Sequence, residues 1–216
     1  MSIMLQSNIQ ILWNCGKQWH RSPYHYKKER QFNSRATLFY KNCTLTLDFL
    51  YEKKALELEF EDGSTVNILE EFINRPGKKL SIRDGEKNMY NPSIDTIMFY
   101  DNAGAMFRKN LNKPWSKHNT GRVSSASLLG HEIIHAYHDQ FTPREYLKRK
   151  NQKVAGWKVR YPHFPNAEEI LVTKDLGNQV IEKLGEDRRK HYKRNYYLTK
   201  SPTTTVPMPV DQDEVL

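Results

Sequence analysis

A chain of 216 residues with 34 lysines and arginines against 25 acids carries a formal charge of +9 and has room for one cored domain plus tails. Its two cysteines, Cys15 and Cys43, are too few for a disulfide framework and read as unpaired thiols, and no run of ~18 apolar residues is present to span a bilayer. The basic excess calls for anionic partners, whether nucleic acid, anionic lipid or acidic protein, without choosing among them.

In chain order, residues 1–35 are polar, basic and aromatic without a period, and read as an N-terminal extension. The start lacks a basic n-region ahead of its short apolar stretch, so no secretory signal peptide is expected, although a signal read by a specialised secretion machine has no such signature. From Ala36 the pattern alternates. Leu45, Leu47 and Phe49 fall on one side of a pleat and Thr44, Thr46 and Asp48 on the other, which predicts a strand. "KALELEF" repeats the alternation, and Asp62-Gly63 marks a hairpin turn, so an antiparallel meander is expected. "VNILEEFIN" reads as a short helix on Ile68, Leu69, Phe72 and Ile73, stopped by Pro76-Gly77. "KKLSIRDG" is a strand candidate, Ile94–Tyr100 is another, and residues 102–121 read as a long polar connection. Ser124 or Ser125 can cap the helix that follows. A second helix runs from "NAEEILVTKD" to "NQVIEKLG" with an interruption near Gly177. Residues 199–216, rich in Pro and Thr and ending acidic, read as a disordered tail.

The first of those helices holds "GHEIIHAYHD". Four residues make just over one turn, so His131 and His135 project from one face, where one zinc ion can take both nitrogens at ~2.0–2.1 Å. Glu132, rotated by ~100°, cannot easily join them as a ligand but can reach a water in the metal's open position. That divides the labour as metal-assisted hydrolysis requires: the ion acidifies water, and Glu132 takes its proton and passes it to the leaving amine. Leu129, Ile133, Ala136 and Tyr137 form a separate core stripe, and Gly130 suits close packing of this helix against a strand. His138 lies ~10.5 Å along the axis from His131, too far to share its ion; it can support the ligands or face substrate, and reads first as a partly exposed histidine. The competing reading has His131, Glu132 and His135 as ordinary surface groups, since HExxH strings also arise by chance. A catalytic zinc wants a third protein ligand. "NAEE" offers Glu169, with Glu168 its rival, although Asn166 and Glu169 equally fit a capping box.

"LLGHEIIHAYHD" followed by "NAEEILVTKDLGNQVIEKLGEDRRKHY" resembles the zinc metallopeptidases of the NleD-like type III effector group, a domain also found at the ends of bacterial polymorphic toxins. The resemblance covers about residues 67–192, a little over half the chain. It implies His131, His135 and Glu169 as zinc ligands, Glu132 as general base, and Arg189 with Tyr192 as the family's closing pair. Tyr192 can then donate to the oxyanion of a tetrahedral intermediate; equally, the pair can lock the last helix to the core. A second acid found in relatives a turn or two after the glutamate is not matched, because Gly177 sits near that place. The resemblance further implies a bacterial effector or toxin, made without a signal peptide, delivered into a target cell, cutting proteins there, and held in check by an inhibitor or immunity protein.

The expected fold is therefore α+β: a zincin-like metallopeptidase domain over residues 36–198, with a small antiparallel sheet and an HExxH helix. One Zn2+ is expected per chain. "YLKRKNQKVAGWKVRYPH" and "RRKHYKR" read as basic walls that recruit an acidic or phosphorylated protein substrate rather than nucleic acid, and Ile94–Tyr100 as a strand to which an extended substrate adds. The alternatives are a non-enzymatic basic binder of nucleic acid or anionic surfaces with a fortuitous HExxH, and a zinc-binding pseudo-peptidase.

Overall fold

The computed structural model describes residues 9–12, 25–152 and 164–209. It is a mixed α+β fold. Strands β1 (Ile9–Leu12), β4 (Leu80–Asp84), β5 (Met89–Asn91) and β6 (Thr96–Phe99) form one sheet in the order β1-β4-β6-β5. Strands β2 (Glu57–Glu59) and β3 (Thr65–Asn67) form a hairpin, and β7 (Ala103–Arg108) lies between β8 (Thr120–Val123) and β9 (Asn195–Leu198). The helices are α1 (His25–Glu52), α2 (Ile68–Asn74), α3 (Ser125–Phe141), α4 (Pro143–Asn151), α5 (Ala167–Ile170) and α6 (Gly177–Lys183), with a π-helical segment, Leu171–Leu176, joining the last two.

The strand expected from Ala36 is instead the second half of α1, and the boundary drawn at residue 36 falls inside that helix. Phe39, Cys43, Thr46, Leu47 and Leu50 recur at helical spacing and are all buried, whereas Leu45, which alternation puts inside, is 44% exposed. The threonines that suggested a strand bond back into the helix: Thr44 Oγ1 donates to Tyr40 O at 2.9 Å and Thr46 Oγ1 to Asn42 O at 2.6 Å. A helical threonine costs up to ~0.7 kcal/mol of propensity, while each fully buried Leu or Phe gains ~1.5–3 kcal/mol. The tertiary term decides.

The Asp62-Gly63 turn does close an antiparallel hairpin, β2 against β3, with Gly63 at φ +80°. Asn67 caps α2 and its Oδ1 accepts from Glu70 N. The larger sheet departs from the antiparallel expectation. Strands β1, β4 and β6 run parallel, and only β5 is antiparallel. Thus Ile9–Leu12, assigned to an extension, supplies a parallel edge strand. The polar connection expected over residues 102–121 is also corrected, since β7 and β8 occupy its ends. Small residues masked the strand period: a Cβ on Gly104 would lie 2.8 Å from Val123 O, and one on Gly121 would lie 2.5 Å from the Phe107 ring.

Helix α3 runs through the middle of the molecule, buried on nearly every side. Ser124 caps it by accepting from Ser127 N, and Glu186 Oε2 accepts from Ser124 N at 2.9 Å and Ser127 Oγ at 2.6 Å. Its stripe (Leu129, Ile133 and Ala136 buried, Tyr137 half-buried) joins the main core with α1, α2 and the mixed sheet. Gly130 serves close packing against a helix rather than a strand, with its missing Cβ facing Val180 of α6 at 3.1 Å. Beyond residue 198 the chain stays structured as far as residue 209: Thr199 bridges Pro207, and Ala126 N donates to Pro202 O at 2.9 Å. Residues 210–216 of the expected tail lie outside the described residues. No helix among the described residues is long and apolar enough to cross a membrane.

Candidate metal centre

Two elements bring three ligand-type side chains together. Helix α3 presents His131 and His135 one turn apart, with their Nε2 atoms 3.2 Å from each other. Helix α5 starts at Asn166, whose Oδ1 accepts from Glu169 N at 2.9 Å, and this cap leaves the Glu169 side chain facing the histidines. Glu169 Oε2 lies 3.3 Å from His131 Nε2 and Oε1 lies 3.4 Å from His135 Nε2. The carboxylate thus straddles the pair, one oxygen facing each histidine, and one ligand atom from each of the three residues lies within 4.8 Å of the others. A tetrahedral ion held at ~2.0–2.1 Å sets its ligand atoms roughly 3.3–3.4 Å apart, the edge of the tetrahedron. Glu169 Oε2 is buried and makes no hydrogen bond, an acceptor left for something other than the described side chains. These three residues therefore form a group able to hold a metal ion.

Glu168 faces the other way. Its Oε1 sits 3.1 Å from His135 Nδ1 and 2.7 Å from His138 Nδ1, and its Oε2 accepts from Arg149 Nε at 2.5 Å. A carboxylate on the far nitrogen of a ligating imidazole fixes its tautomer and raises its basicity. His138 is buried rather than partly exposed, and of the roles open to it the structure gives the supporting one, beside Glu168. The electrostatics match. Burial opposes the charged form of His135, but the carboxylates of Glu168 and Glu169 outweigh it and hold the ring up at about 10. Burial likewise works against both carboxylates, yet the imidazoles beside them keep each well below the ordinary carboxylate range. His131 is pushed down, chiefly by burial.

Glu132 points to β5, where its Oε2 accepts from Tyr90 N at 2.8 Å. The Tyr90 phenol is pinned at its far end, 2.8 Å from Asp139 on α3 and 3.0 Å from Asp95. Ile94–Tyr100 is not the strand open to an added peptide. Its β6 is paired on both sides, and the edge belongs to β5. The π-helical segment shapes the opposite wall. Such segments carry an extra residue per turn and concentrate at functional sites. A Cβ on Gly177 would lie 2.4 Å from Val172 O and 3.8 Å from His131 Nδ1, so the interruption read at Gly177 is the junction of the π-helical segment with α6, closely packed beside the first histidine.

Arg189 and Tyr192 approach from the segment after α6. Arg189 is buried, with its main chain clamped by Asn178 at both N–H and carbonyl and its Nη2 donating to Tyr192 O at 3.1 Å. Burial pushes this guanidinium down to about 9, with Arg194 adding to the push, and its Nε has no acceptor among the described residues. Burial first and the charge of Glu169 second push the Tyr192 phenol up to about 12. The ring stands 6.2 Å from that of Phe164. Of the basic, aromatic segment, Tyr146 is buried with its hydroxyl accepting from Lys150, while Trp157 and Tyr161 lie outside the described residues. Sequence reasoning missed Tyr90, which acts through a main-chain N–H and so has no residue signature. It also missed Arg149, whose link to Glu168 spans two helices. No family model, no curated protein and no solved structure matches this chain.

Proposed function

We propose that the protein is a zinc-dependent endopeptidase with a zincin-like arrangement, and that His131, His135 and Glu169 hold one Zn2+. The supporting observation is the convergence of His131 Nε2, His135 Nε2 and the Glu169 carboxylate, whose two oxygens stand 3.3 and 3.4 Å from the two imidazoles, beside the glutamate of an HExxH turn. Zinc, when bound, supplies a Lewis acid that brings the pKa of water towards neutrality. Glu132, held by Tyr90 N–H, accepts the proton of the attacking water and delivers it to the leaving amine. Glu168 keeps His135 oriented with Nε2 towards His131 and Glu169. Tyr192 is the candidate donor for the developing oxyanion, and Arg189, clamped by Asn178 and bonded to Tyr192 O, holds the segment that carries it. The resemblance to NleD-like effector peptidases agrees with this reading and extends it to a bacterial effector or toxin acting on proteins of a target cell.

The test separates binding from chemistry. Purified protein is expected to hold about one zinc per chain, lost in the His131→Ala, His135→Ala double variant. Glu132→Gln should keep the metal and lose at least about 10²-fold of proteolysis on denatured protein substrates, the scale of a missing general base. Stoichiometric zinc with equal activity in Glu132→Gln refutes catalysis, and absence of zinc refutes the centre.

A further inference from the structure

Next to Tyr192 in the chain a cavity opens, of about 280 Å3, lined in part by Arg108, Trp115, His191, Lys193, Arg194 and Asn195. Three of its walls are permanent cations, and no carboxylate lines it. Arg194 is the best placed. Its Nε and Nη2 both donate to the Tyr196 hydroxyl, at 3.2 and 2.9 Å, while Nη1 is buried with no acceptor among the described residues. The guanidinium is clasped between rings, 5.3 Å from the centroid of Tyr192 and 5.4 Å from that of Tyr196. His191 Nε2 bonds to Arg108 O at 2.6 Å, tying β9's approach to β7 and fixing the floor. A buried N–H without a partner is costly, and a guanidinium is a planar fork suited to an oxyanion. Three cations with no carboxylate among the cavity's lining make it attractive to an anion.

We infer that this cavity is a recognition subsite for an oxyanion-bearing side chain of the substrate, a phosphomonoester or a carboxylate, held by the Arg194 guanidinium with Arg108 and Lys193 around it. The inference rests on the peptidase reading, and it gives the general attraction of a basic protein for acidic substrates a single address. Its relation to the centre is direct: Arg194 stacks on Tyr192, whose phenol feels Glu169 and Glu132. Exposed Trp115 at the rim offers a face for the apolar part of the same side chain.

The full-length, zinc-loaded protein is titrated with phenyl phosphate, benzoate and benzamide, followed by calorimetry and by the arginine Nε–H resonances. Phenyl phosphate or benzoate should bind and move the Arg194 signal, while benzamide does not bind. Tighter phenyl phosphate assigns a phosphomonoester, and tighter benzoate a carboxylate. Arg194→Gln should weaken binding at least tenfold and Lys193→Gln, at an exposed position, about threefold, with Tm checked for both. His131→Ala should leave the affinity within twofold, because the anion does not sit on the metal. Equal binding of benzamide, an affinity unmoved by both charge removals, or binding lost in His131→Ala overturns the inference. Should the protein hold no zinc yet bind phenyl phosphate through Arg194, only the peptidase reading fails.

Discussion

Glu168 and Glu169 are adjacent, and a rotation of ~100° along a helix sends them to opposite sides of His135. Glu169 faces the Nε2 atoms, and Glu168 gathers Nδ1 of His135, Nδ1 of His138 and the Arg149 guanidinium. Glu168→Gln keeps the shape and removes the charge that makes His135 a strong donor. Zinc affinity, measured by competition with a chromophoric chelator, should fall 10–100-fold, with the far-ultraviolet circular dichroism unchanged. An unchanged affinity would show that Glu168 only packs. At this scale, His131, Glu132 and His135 were legible because helical periodicity is a short-range rule. Choosing between the two glutamates was not a matter of period alone, since it depends on how α5 approaches α3. The same Asn166 that made a capping box a rival explanation is what aims Glu169, so capping and presentation are one arrangement rather than alternatives.

Among the elements, α3 depends on its first turn. Ser124 caps it, and the half-buried Glu186 carboxylate accepts from Ser124 N and Ser127 Oγ. Burial outweighs those hydrogen bonds and raises the Glu186 pKa. A carboxyl whose folded pKa lies above its unfolded value favours the folded state most below the unfolded pKa, and this advantage is lost as pH rises through the folded pKa. Glu186→Gln keeps an acceptor and does not titrate. The stability of the parent relative to this variant, from urea denaturation at pH 4 to 7, should therefore be greatest at the acid end and decline towards neutrality. The opposite slope would mean that the helix terminus, not burial, governs this group. Legibility of elements followed chemistry in the same way. The α2 helix and the Asp62-Gly63 hairpin have local signals. Strands β7 and β8 were hidden by Ala103, Gly104, Ala105 and Gly121, whose small size answers to neighbours far along the chain. Helix α1 was hidden by threonines whose hydroxyls the helix satisfies internally.

Across the molecule, the proposed centre joins α3, at the heart of the main core, to α5, which enters after residues 153–163. A metal held by both should stabilise the whole fold. Free zinc at a thousandfold excess over Kd contributes ~4 kcal/mol, which for a chain of this size corresponds to roughly 10 °C in Tm. Calorimetry with and without a chelator should show that loss, and the His131→Ala, His135→Ala variant should show no response to chelator. An equal fall in both would assign the effect to some other ion.

The π-helical segment between α5 and α6 places a limit on how this chain can vary in length. Exposed loops can gain or lose residues at little cost. Within Leu171–Leu176 a single insertion or deletion would turn the preceding carboxylates by ~100° relative to α6. It would bring Glu168 or Ile170 round to the imidazoles in place of Glu169. The reading frame of one helical turn thus sets which acid meets the histidines, and drift in chain length has to accumulate elsewhere.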